Sequence, residues 1–159
     1  MRRKLAVVVA GLLVAGGAGT ASIVASSSAT ATTALTVTEH AVTDHITDVG
    51  KTGLGRGDLL TFHNPIYDST DTTVVGSDQG SCIRITKFKE GSKKGSWECQ
   101  WTTFLDNGAS SITVETPYYD TGLGTGAITG GTGTYAGASG SLDLDCFSQT
   151  RCTFKFNLS

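Results

Sequence analysis

Five glycines fall within residues 127–142, AITGGTGTYAGASGSL, and no other stretch limits the fold of this chain as strongly. Glycine is required where φ is positive or where another backbone passes too close for a Cβ. Inside strands it marks a bulge or a bend at a barrel corner. Gly131-Thr132-Gly133 also begins the G-x-G of a dinucleotide-binding loop. That loop needs a strand before it, a helix after it and an acidic residue about twenty positions on. Here Ala136 occupies the third glycine position, and Ser141-Leu142-Asp143-Leu144-Asp145 alternates as a strand does. The segment therefore reads as strand, corner and strand of a closed sheet, and no cofactor is expected.

The remaining pattern is also that of strands. Leu35, Val37, Glu39 and Ala41 alternate with Thr36, Thr38 and His40, so one apolar face carries a carboxylate. Residues 44–57 read as a long loop. Residues 58–63 form a short strand with Leu60 and Phe62 on one side, ended by Asn64-Pro65. Residues 67–80 read as loop with a weak strand at Val74-Val75. Residues 81–88 place Cys82, Arg84 and Thr86 on one face, and 96–105 return with Trp97, Cys99 and Trp101 on the cysteine face. Asp106-Asn107-Gly108 is a hairpin turn signal. Residues 111–116 follow, with Ile112, Val114 and Thr116 in phase with Tyr118. The last strands are 141–147 and 152–158, the latter with Phe154, Phe156 and Leu158 on one side. No ten-residue stretch has a helical period, so the chain is all-β, a barrel or sandwich of seven or eight short antiparallel strands.

Arg2, Arg3 and Lys4 precede an uncharged apolar run at residues 5–18, and Ala29-Thr30-Ala31 offers an A-x-A cleavage site. Residues 1–31 thus have the form of a secretory signal peptide, too short and glycine-rich for a membrane anchor. The mature domain, residues 32–159, keeps 9 basic and 14 acidic residues, a net charge of −5. It has no basic cluster to hold nucleic acid, and no membrane partner is expected after cleavage. Four cysteines in an exported chain imply two disulfides. Cys82 and Cys99 flank a turn centred on Glu90-Gly91, and Cys146 and Cys152 flank Gln149, so the pairs Cys82–Cys99 and Cys146–Cys152 are expected across two hairpins. There is no C-x-x-C, and His40, His45 and His63 are scattered, so no metal site is expected. The three histidines read as surface residues.

Two stretches carry a resemblance. Residues 57–68, GDLLTFHNPIYD, are similar to the G-D-L-V-P-F-T-N-K-L-Y segment of plant allene oxide cyclases. Ser111-Ile112-Thr113-Val114, Pro117-Tyr118 and Ala127-Ile128-Thr129-Gly130-Gly131 resemble the I-S-V-Q-G-P-Y and A-I-T-G-G-x-G segments of the same family, with which dirigent proteins share a barrel. The resemblance implies an eight-stranded antiparallel barrel with a hydrophobic cavity, often a homotrimer. It implies a cavity that folds an unsaturated fatty-acid epoxide for cyclisation. Leu60, Phe62, Asn64, Cys82 and Tyr118 match cavity-lining positions, and Glu39 matches a carboxylate that stabilises developing positive charge. Ala41 stands where the family has an asparagine, no serine–proline pair follows, and Cys82 is expected in a disulfide.

A carboxylate on an apolar face must be hydrogen-bonded, paired or protonated. Glu39 is therefore either a catalytic group in a cavity or the ion-pair partner of Arg84, which shares the inward face. Trp101 and Tyr118 either stack on a ligand or belong to the core. Three functions stay open: a cyclase or isomerase of a hydrophobic, unsaturated, lipid- or polyketide-like molecule; a dirigent-like carrier of such a molecule; or a structural barrel filled by Trp97, Trp101, Phe154 and Phe156. The expected ligand contacts are Leu60, Phe62, Asn64, Arg84, Trp101 and Tyr118.

Overall fold

Alternation of inward and outward side chains sets the architecture of this protein, a computed structural model that describes residues 33–87 and 95–159. The signal peptide expected at residues 1–31 and the turn at Glu90-Gly91 lie outside the described residues. The strands are β1 (Thr33–His40), β2 (His45–Thr47), β3 (Leu59–Tyr67), β4 (Val74–Arg84), β5 (Ser96–Leu105), β6 (Ser110–Tyr119), β7 (Leu123–Thr132), β8 (Gly140–Ser148) and β9 (Arg151–Leu158). Among the described residues the only helical pieces are two single 3-10 turns, Asp106–Gly108 and Gly133–Tyr135.

The sheet runs β1-β9-β8-β7-β6-β5-β4-β3-β2 with every pairing antiparallel, and β1 also pairs with β3. The result is the closed eight-stranded barrel, with β2 a short extra strand. Closure is narrow. β1 meets β3 only at Thr38↔Tyr67 and Glu39↔Ile66, and β2 takes up the same edge of β3 farther along, at Leu59, Leu60 and Thr61. Residues 41–44 step across the gap between them.

Inward positions of β5, β6, β8 and β9 supply the core, with Trp97, Trp101, Ile112, Val114, Leu142, Phe154 and Phe156 all buried. Burial of each such side chain stabilises the fold by about 1.5–3 kcal/mol. The glycine-rich segment is the expected corner. Register slips between Thr113↔Gly130 and Val114↔Ile128, leaving Thr129 as the bulged residue of β7. A Cβ on Gly140, at φ +128°, would lie 2.0 Å from the Asn157 carbonyl oxygen, so the chain can turn into β8 here only with glycine.

Both expected disulfides form. Cys82 and Cys99 are direct cross-strand partners with Cα atoms 4.0 Å apart, and Cys146 pairs with Cys152 across the β8–β9 hairpin.

Four expectations fail. The strand at residues 58–63 is not ended by Asn64-Pro65; β3 runs through both to Tyr67, with Asn64 and Pro65 paired to Asp78 and Ser77 of β4. Residues 44–57 are not all loop, because β2 lies within them. Residues 67–80 are not loop with a weak strand; β4 begins at Val74 and runs eleven residues. Its inward positions are Gly76, Asp78, Gly80, Cys82 and Arg84, so the strand alternates without an apolar face to announce it. The ideal Cβ of Gly80 would fall 2.3 Å from the Cβ of Trp101, its cross-strand partner; glycine makes room for the indole. Finally, His40 is not a plain surface residue. Its ring stacks on Tyr67 at 3.8 Å and its Nε2 lies 2.5 Å from Asp71 Oδ1. His45 and His63 are exposed as expected.

Candidate functional site

The β1–β3 seam is short of ladder hydrogen bonds, and Asn64 supplies what the backbone lacks. Its Oδ1 accepts from the N–H groups of Val42 and Thr43, each at 2.9 Å, and from Thr43 Oγ1. Its Nδ2 donates to Glu39 Oε1 at 2.7 Å and to Asp44 Oδ1 at 2.8 Å. Its backbone N–H donates to Asp78 Oδ1 at 3.2 Å. One buried asparagine, through its side-chain amide and its backbone N–H, thus gathers three carboxyl groups from β1, β4 and the crossing segment.

Among the described residues no cation pairs with them. Burial raises the Glu39 pKa to about 7, against the lowering effect of the Asn64 hydrogen bond, with the Asp44 charge adding to the rise. Burial pushes Asp78 further, to about 9, and the neighbouring Glu39 charge adds to it. Asp78 Oδ2 accepts no hydrogen bond. An oxygen that itself carries the proton, and donates it towards Glu39, needs no donor. Both groups therefore hold their protons to higher pH than free carboxyl groups do, Asp78 more firmly than Glu39.

Glu39 faces a cavity of about 100 Å³ at the end of the barrel where β1, β4, β6 and β8 finish and β3, β5 and β9 begin. Leu60, Phe62, Trp101, Tyr118, Leu144 and Phe154 form its apolar lining, and both disulfides border it. Ala41, Asp44, Ser148 and Gln149 lie at its mouth. Phe62 and Phe154 meet Trp101 with ring centroids 6.4 and 5.1 Å apart. The Tyr118 hydroxyl is held protonated by burial first, then by the charges of Asp120, Glu39 and Asp44. Two broader depressions, of about 620 and 570 Å³, lie on the outer wall beside β4–β5 and β7–β9. Neither contains a buried carboxyl group.

Of the expected site residues, Glu39, Leu60, Phe62, Trp101 and Tyr118 meet at this one cavity, with Cys82, Cys99, Cys146 and Cys152 around them. Asn64 stands behind Glu39. Arg84 does not pair with Glu39, as one sequence reading had it. Its Nη1 and Nη2 donate to Asp120 Oδ1 and Oδ2 at 2.5 and 2.7 Å, its Nε donates to the Thr86 carbonyl at 2.6 Å, and its guanidinium lies over the Trp97 ring. Geometry explains the exchange of partner. Arg84 lies two residues beyond Cys82, towards the rim, where Asp120 follows the end of β6. Asp78, six residues back along β4, faces Asn64. Sequence reasoning missed Asp78 because its surroundings read as loop. The signal was there, since Gly76, Asp78, Gly80, Cys82 and Arg84 keep a strict period of two.

The sequence model of the allene oxide cyclase family matches residues 39–158. Among solved structures, the barrel is similar to a pyocyanin demethylase, with TM-score 0.67 and 27% identity over 80% of this chain and 100% of that one. Two pterocarpan synthase dirigent proteins share the fold, each with TM-score 0.62 and 19% identity over 80% of this chain, covering 86% and 93% of their own length.

Proposed function

The chain belongs to the allene oxide cyclase family, and on that premise we propose that it binds a hydrophobic, unsaturated, lipid- or polyketide-like molecule at the open end of the barrel and moves a proton on it, as a cyclase or isomerase does. The observation that carries this reading is Glu39, 6% exposed, with its pKa raised to about 7 and facing an apolar cavity. A general acid–base group works best when its pKa lies near the operating pH. An isomerisation is redox-neutral and balanced in protons, so it needs one group that gives and takes a proton and a wall that fixes the substrate. Glu39 is the first, and Phe62, Trp101, Tyr118 and Phe154 are the second. Asp78 stands behind Glu39, and its hydrogen bond opposes part of the rise in the Glu39 pKa.

The aromatic filling leaves about 100 Å³, below the ~300–1,000 Å³ of sites that engulf a whole ligand. In this reading the barrel holds only the reacting end of the molecule, and the rest lies across the mouth beside Ala41 and Gln149. Two disulfides support a place outside the cell. A homotrimer would cover the outward Ile83 and Ile85, which are 52% and 49% exposed.

A carrier without chemistry is the second reading, favoured by the small cavity. Native mass spectrometry of protein secreted by its own host identifies any co-purified molecule, which is then incubated with protein in heavy water. Wild type is expected to introduce solvent deuterium, and Glu39→Gln to lose this by ~10²-fold or more. Binding by both forms without exchange establishes the carrier and removes the enzyme.

A further inference from the structure

The charges around the cavity are all of one sign. Glu39 and Asp44 line it, and no lysine, arginine or histidine does so among the described residues. Arg84, the buried cation of this end of the barrel, has its charge matched by Asp120 through two hydrogen bonds. Four aromatic rings, those of Phe62, Trp101, Tyr118 and Phe154, share the rest of the wall with Leu60, Leu144 and the two disulfides. An aromatic ring presents a negative face, and rings around a carboxylate form the usual receptor for a quaternary ammonium group.

We propose that the cavity is selective for positive charge, and that its ligand carries a cationic nitrogen, quaternary or part of an aromatic ring, seated against Glu39 and the four rings. This rests on the proposed small-molecule site and names its ligand class. A free carboxylate fits badly, because it would meet Glu39 and Asp44 with no compensating cation in the lining. A neutral apolar group fills the space but leaves the negative potential unused. A cation answers both the carboxylates and the ring faces.

The protonation of the site then couples to binding. The groups facing Glu39 are Asn64 from β3, Asp78 from β4, Tyr118 from β6 and Asp44 from the segment after β1, while the Cys146–Cys152 disulfide on the β8–β9 side does not titrate. A cation favours ionised Glu39, so its binding releases a proton and strengthens as pH rises from 5 to 8. An anion would behave in the opposite sense, and a neutral ligand would show no such trend.

Three probes of similar shape separate these cases: N,N,N-trimethylanilinium, tert-butylbenzene and benzoate, titrated against the folded domain by tryptophan fluorescence at pH 5 and pH 8. The cation is expected to bind at least ~10-fold tighter than its neutral isostere at pH 8, with the advantage falling towards pH 5. Calorimetry in two buffers of different ionisation enthalpy should record the released proton. In Glu39→Gln the preference should shrink and lose its pH dependence; if that variant does not fold, the wild-type pH series alone decides. Equal binding of cation and isostere, or tighter binding of benzoate, overturns the charge selectivity while leaving the small-molecule site intact. If none of the three binds, the site itself fails, and this inference with it.

Discussion

Arg84 and Glu39 each carry an ionisable group into the same barrel, at 1% and 6% exposure, and the fold treats them in opposite ways. Arg84 receives a bidentate carboxylate, a backbone carbonyl and an aromatic face. Glu39 receives one amide hydrogen and two further carboxyl groups. A matched pair satisfies its own lone pairs and protons and contributes order. An unmatched one adjusts its charge by holding a proton. The first arrangement fixes the rim where β4, β5 and β6 meet. The second leaves a titratable group beside open space, and such groups concentrate where chemistry or binding happens.

Removal of one partner from the matched pair should have the largest effect. Asp120→Ala takes away the only carboxylate that contacts Arg84 among the described residues, and breaking a buried pair in this way costs about 3–5 kcal/mol. Urea denaturation at pH 7 should show a loss of that size. Gly95 offers an independent check. A Cβ at this position would lie 1.5 Å from Asp120 Oδ2 and 2.8 Å from Arg84 Nη2, so Gly95→Ala should weaken the same pair. If both variants are as stable as wild type, the contrast between the two clusters dissolves.

The unmatched cluster should declare itself through pH. Glu39 and Asp78 have folded pKa values raised from 4.5 and 3.8 to about 7 and about 9. Between the low and high values the folded chain retains protons that the unfolded chain has released. Stability contributed by these groups is therefore fully present at acidic pH and is lost as pH rises. Each retained proton gives a slope of about 1.4 kcal/mol per pH unit. Asp58 and Asp68 are lowered instead, chiefly by backbone N–H groups of Val49 and Thr72, and their stabilising effect disappears on the acid side. The interval from pH 7 to 9 thus belongs mainly to Asp78. Asp78→Asn should flatten the fall in stability across that interval. A wild-type profile already flat from pH 7 to 9 would remove the buried proton from the account.

The same contrast explains what could be read from the sequence. Alternation revealed the barrel, the two disulfides and the inward face of Cys82 and Arg84, because period-two patterning and cross-strand spacing are local properties. Glu39 stood out for the same reason, a carboxylate in an otherwise apolar register. Its partners were hidden, since they depend on closure. Asn64 lies 25 residues away on the far side of the seam, and Asp78 lies between two glycines in a strand with no apolar face. Arg84 shared a face with Glu39 in phase but not in height along the barrel, and phase alone cannot distinguish the two. Asp120 follows the end of β6, where no strand pattern points.

Glu39→Gln should have the smallest effect on stability and the largest on function. The glutamine Oε1 can still accept from Asn64 Nδ2 and can take the proton that Asp78 directs towards residue 39. At pH 5 the replaced group is already protonated, so an uncharged amide succeeds an uncharged acid of the same shape. The expected change there is within about 1 kcal/mol, the size of one neutral hydrogen bond. At pH 8 the variant should be more stable than wild type, because it removes a buried negative charge and lets Asp78 ionise at a lower pH. A carboxylate retained only for the fold would show the reverse, with destabilisation greatest at pH 8, where the charge is present. Denaturation of the two proteins at both pH values, set beside their affinities for trimethylanilinium, separates a residue kept for structure from one kept for what enters the barrel.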